Sequence, residues 1–139
     1  MGADFAWPDA TLEVVRWLTD ELYETPVRWA VPTSRPGEFV VVRRAGSGSP
    51  MQWADRAALD VECWSGGPDS SPKPAHELAA EVRRALLAAP GGVNPIADVT
   101  ITGVAFLPDA VSRCPRVVIG AEVLIRATDE LVSDGPTSA

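Results

Sequence analysis

The stretch FVVVRRAGSGSPMQWADRAALDVECW, from Phe39 to Trp64, limits the fold more than any other part of the chain. Its β-branched and apolar ends read as strands, and its Gly-, Ser- and Pro-rich middle as the loop of a long hairpin. From Ala57 the second run alternates, with Leu59, Val61 and Cys63 on one side and Asp60, Glu62 and Trp64 on the other. Successive strand side chains point to opposite faces, so this pattern demands a sheet with one apolar face and something to cover it.

The covering elements are legible. From Pro8 to Glu24, Leu12, Val15, Leu18 and Leu22, widened by Val14 and Trp17, form an apolar stripe at helical spacing. Pro8 suits a first helical turn, and Thr25-Pro26 ends the run. A second helix is expected from Ala75 to Ala89, with Leu78, Val82 and Leu86 as its stripe and Pro90-Gly91-Gly92 as its stop. Further strands are expected at Val27–Val31, at Phe39–Arg44, at Val99–Leu107 with a possible bulge at Gly103, and at Arg116–Ala127. In the last of these, Val117, Ile119, Ala121, Val123 and Ile125 share a face. The order α-β-β-β-α-β-β, with hairpin-length links in the middle, predicts an α+β domain: a largely antiparallel, mixed sheet with two helices on one face. Residues 8–128 form that single domain, residues 1–7 are expected to be a flexible N-terminus, and the polar residues 129–139 a disordered tail. The loop from Ala45 to Asp55 is expected to become ordered on assembly.

A chain of 139 residues, 46% hydrophobic and 22% charged, has the composition of a globular domain. The net charge of −7 argues against a free-standing nucleic-acid binder, which needs a basic stripe to neutralise phosphates. The start MGADFAWPDA has neither the basic nor the apolar region of a signal peptide, and no apolar run approaches the length of a membrane span. Cys63 and Cys114 lack a CxxC arrangement and read as reduced thiols.

The sequence carries no recognisable catalytic pattern. His76, the one histidine, stands beside Glu77 at a helix start with no G-x-S-x-G elbow to serve. Asp60 and Glu62, two apart on a strand, cannot flank a substrate from opposite sides as glycosidase carboxylates do, and read as an exposed sheet face or a subunit contact. The glycine-rich strings at Gly46–Ser49 and Pro90–Gly92 match neither phosphate-loop nor dinucleotide patterns. No catalytic residue, cofactor or metal site is therefore assigned. What remains is an interaction surface. Arg43, Arg44 and Arg56 are expected to gather at the loop end of the hairpin, as solvated strand ends or as contacts to a partner's carboxylates or a nucleic-acid backbone. Trp53 in the loop is either an aromatic anchor for a partner or folds back on its own hairpin. Asp60, Glu62 and Trp64 complete the candidate set.

Five strings, PDATLEVVRWLTDEL, VPTSRPGEFVVVRRAGS, WADRAALDVECW, AHELAAEVRRAL and LPDAVSRCPRVVIGAEVLIR, taken in order, resemble the tail terminator proteins of long-tailed actinobacterial phages and prophages. The likeness spans Pro8 to Arg126. It implies a non-enzymatic α+β virion protein, assembled in the host cytoplasm, that forms a hexameric ring at the head–tail junction. Such a ring caps the tail tube, stops its polymerisation and meets the neck or head-completion protein, while DNA only passes through the lumen. Two other readings stand beside it: a head-closure or neck connector protein, and a small ligand-binding or enzymatic α+β domain.

Overall fold

The structure is a computed structural model that describes residues 5–6, 8–47 and 54–129. In chain order the elements are β1 (Phe5–Ala6), α1 (Ala10–Leu22), β2 (Val27–Arg28), β3 (Glu38–Ser47), β4 (Ala54–Ser65), α2 (Lys73–Ala88), β5 (Ile96–Phe106), β6 (Arg116–Arg126) and β7 (Thr128–Asp129). The main sheet runs β2-β3-β4-β6-β5, parallel between β2 and β3 and antiparallel elsewhere. This is the α+β architecture expected, a mixed and mostly antiparallel sheet with both helices on one face. Phe5–Ala6 pairs antiparallel with Thr128–Asp129, so the ends of the domain meet. The rest of the expected mobile ends, 1–4, Trp7 and 130–139, lies outside the described residues, as do 48–53 with Trp53.

The alternating strands and the helical stripes meet in one core. Val40, Val42, Leu59, Val61, Cys63, Val117, Ile119, Ala121, Val123 and Ile125 point at Val14, Leu18, Leu78, Val82 and Leu86. Each large aliphatic side chain buried there is worth about 1.5–3 kcal/mol relative to an exposed one. The two helices are also tied directly: the Trp17 indole N–H donates to the Ala85 carbonyl at 2.8 Å. Gly92 lies beneath that indole, and a Cβ there would collide with the Trp17 ring. The glycine after α2 therefore does more than end a helix.

Several boundaries shift for local reasons. Pro8 is not in the first turn of α1; Asp9 is its N-cap, accepting from the Leu12 N–H at 3.2 Å. Leu12 is consequently only half-buried, and Val14 takes the core position. The strand expected over Val27–Val31 is just Val27–Arg28. Strand β5 starts at Ile96 because Asn94 Oδ1 accepts from the Ile96 N–H at 2.8 Å. The expected bulge is present, since register shifts between Ile101 and Gly103. Strands β3 and β4 reach Ser47 and Ala54, so Ala45–Ser47 and Ala54–Asp55 belong to the sheet rather than to the loop.

Replacing Val82, fully buried beneath the sheet, by Asp should cost about 3 kcal/mol or more, read as a lower urea midpoint. Cys63 offers a second check. Burial, aided by the charge of Glu62, pushes its thiol well above the ordinary range. A thiol reagent should leave Cys63 untouched in the folded chain and modify it only on unfolding.

Candidate interaction surface

Cross-strand register sorts the candidate residues onto two faces. Arg43 pairs with Asp60, and Arg56 with Leu124, on the face away from the helices. Asp60, Glu62 and Trp64 alternate with core-facing Leu59, Val61 and Cys63, so they share that face. Arg44 pairs with Leu59 and projects to the helix side, where its guanidinium lies 3.6 Å from Asp55. The three arginines thus lie in the loop-end half of the hairpin but do not form one cluster, because Arg44 is on the opposite face from Arg43 and Arg56. Two adjacent residues of a strand cannot share a face, and both strands extend beyond them.

Nor is the Asp60/Glu62/Trp64 face an exposed one throughout. Glu62 is 7% exposed and Trp64 3%. The Glu62 carboxylate accepts from Arg43 Nε at 2.9 Å and from the Trp64 indole N–H at 3.1 Å, and lies 3.9 Å from Arg116 Nη1. Phe39, the cross-strand partner of Trp64, stacks on it with centroids 5.3 Å apart. The guanidinium carbons of Arg35 and Arg116 each lie 5.2 Å from the indole centroid. Together with Val31, Val41 and Cys114 these groups form a second, small core on the helix-free face.

Two loops roof this cluster. Asp109 accepts from the N–H and hydroxyl of Ser112, each at 2.8 Å, which closes the turn that carries Cys114. Those bonds, with the charges of Arg116 and Arg35 behind them, hold the Asp109 carboxyl below its ordinary range against the opposing effect of burial. Arg113 Nε reaches both oxygens of Asp69, at 3.2 and 2.9 Å, and joins the roof to the loop before α2. Arg35, Arg113 and Arg116 were not among the residues singled out from the sequence. Alternation could have put Arg116 opposite Val117, but nothing local reveals that it meets Trp64.

Past the roof the sheet face is open and built from small groups. Ala58, Asp60, Val118, Gly120 and Leu124 are half-buried, and Thr100, Thr102 and Ala105 exposed. Arg56 and Glu122 cross it with a 3.1 Å ion pair. His76 stacks on Phe106 at 5.5 Å and is exposed. Among the described residues no group of His, Cys, Asp and Glu is arranged to hold a metal ion, and no helix is long and apolar enough to cross a membrane. Among the described residues this face carries small side chains and one solvated ion pair.

The buried and exposed ion pairs should respond differently to truncation. Glu62→Ala strands a buried indole N–H and uncouples two guanidiniums, and should cost about 2–4 kcal/mol by urea unfolding. Arg56→Ala, whose pair with Glu122 is solvated, should cost less than about 1 kcal/mol in the same assay.

No protein-family model matches the chain, and no curated protein matches it.

Proposed function

We propose that the chain is a virion structural protein, a tail terminator whose copies form a ring at the head–tail junction and cap the tail tube. The observation that carries this reading is the one-sided cover of the sheet. Both helices lie on one face, while the other face past its small roof, and much of both outer strands, are left without intrachain cover among the described residues. A ring subunit needs surfaces of that kind, because each copy must meet neighbours on two sides and a tube on a third. The order and spacing of the strings that resemble tail terminators support the same conclusion, and that family's two-helix α+β fold agrees with the architecture observed. In this reading the partners are other copies, the tail tube protein and the neck protein.

Contacts through Arg56, Glu122 and Asp60 would steer association more than hold it. Assembly should therefore weaken with added salt while the fold persists. Arg56→Glu, which sets a carboxylate against Glu122, should reduce ring formation or tube capping without altering helix and strand content. Native mass spectrometry across protein concentration, with tail tube protein added in a second series, reads this directly. A chain that stays monomeric in both series would defeat the proposal.

A further inference from the structure

Strand β5 is hydrogen-bonded to β6 and to no other strand among the described residues. Register with β6 sets Val99, Ile101, Val104 and Phe106 opposite Val123, Ala121, Ile119 and Val117, so all four project to the helix side. Helix α2 runs back along that side. Its start lies by Phe106, on which His76 stacks, and its end leads through Ala89–Gly91 towards the start of β5. The cover it gives is uneven: Val99 is buried, whereas Val104 is 48% exposed and Phe106 39%. Leu87, about three turns beyond His76 and hence on the same flank of α2, is 51% exposed. An apolar shelf therefore follows this edge of the sheet. Edge strands are commonly blunted by Lys, Pro or several charges, but β5 carries one charge, Asp98, close to its start.

We infer that the β5 edge pairs antiparallel with the β5 edge of a second copy, about a two-fold axis that passes between Thr102 and Gly103. The register follows from the faces. Thr102 is the extra residue of the bulge, so helix-side positions before it differ in parity from those after it. A two-fold at the bulge then sets Val99 opposite Phe106 of the second copy and Ile101 opposite its Val104. Each exposed apolar side chain gains an apolar cross-strand neighbour. Phe106 also comes to the part of the shelf where Leu87 of the second copy stands. On the other face Thr100 meets Ala105, both small. The two Asp98 carboxylates fall at opposite ends of the seam, so the strand's one charge never faces its like. The bulge itself selects a copy over a foreign strand. It bends and twists β5, and a two-fold mate carries the same bend at the matching position. Nothing at the β2–β3 side of the sheet takes part. The contact is isologous and closes at two copies, so it goes beyond the ring reading and does not depend on it.

Cross-linking of the full chain tests the seam. Val104 of each copy stands opposite Ile101 of the other, so the two Val104 positions are about 10 Å apart along it. Val104→Cys, treated with a short bis-maleimide, should form a covalent dimer by itself. Val93→Cys, fully exposed but on the loop before β5, should not. The native thiols are buried and give the background. No dimer from Val104→Cys, or as much from Val93→Cys, would overturn the inference. Native mass spectrometry of the unmodified chain without tube protein should show a dimer. Val104→Lys should weaken that dimer about tenfold or more while its circular dichroism stays unchanged. Undiminished association of this variant would overturn the inference as well. The same series separates the seam from the ring. Rings with no Val104 cross-link would overturn the seam and leave the ring reading standing. Cross-linked dimers that never give rings when tube protein is added would uphold the seam and defeat the ring reading.

Discussion

Burial of β4 on both faces is the constraint on which the other elements depend. The strand lies between β3 and β6 and pairs with β6 through eleven consecutive residues, Ala54 to Trp64, without a register shift. On the helix side Leu59, Val61 and Cys63 are enclosed by α1 and α2. On the other side Glu62 and Trp64 are enclosed too, and a carboxylate and an indole N–H there must find partners inside the chain. They find each other, and Arg43 and Arg116 complete the set. A buried carboxylate with charged donors from two neighbouring strands fixes the relative positions of β3, β4 and β6. A slipped register would strand it, because a one-residue shift turns every side chain to the wrong face.

The roof over Trp64 explains why a polar strand face can be dry. Its turns are shaped by residues in the left-handed region, Asp69 with φ 59° and Arg113 with φ 62°. Such conformations are costly for side chains other than glycine and persist when the surroundings hold them. Here the holding contacts are mutual. The Asp69 N–H donates to the Arg113 carbonyl at 3.0 Å while the Arg113 side chain grips the Asp69 carboxylate. The loops therefore brace one another, and together they carry Cys114 and Pro115 onto the edge of the aromatic cluster.

Much of the fold was legible because it is written in periodicity. The alternation in β6 identified Val117, Ile119, Ala121, Val123 and Ile125 as one buried face, and all five are buried. The helical stripe of α2 located Leu78, Val82 and Leu86 equally well. The misses came from hydrogen bonds that composition does not announce, such as Asp9 capping α1 and Asn94 setting the start of β5. Separation of Arg43 from Arg44 was legible all along, since neighbours on a strand take opposite faces; treating them as one basic cluster ignored that rule. The surroundings of Trp64 were not legible. They depend on which residue of β6 lies opposite, and on two loops whose path no local pattern encodes.

The irregularities of the sheet are confined to its outer pairings. The β4–β6 centre is regular, whereas β3 shifts register between Arg44 and Gly46, and β5 shifts between Ile96 and Asp98 and again between Ile101 and Gly103. A bulge bends its strand and increases local twist, so it limits which other edge can lie flush against it. Exposed apolar edges are otherwise templates for indiscriminate pairing. Regular pairing at the centre secures the fold, where any slip would expose the core. Bulged pairing at the margins lets the outer strands bend and twist without disturbing that centre.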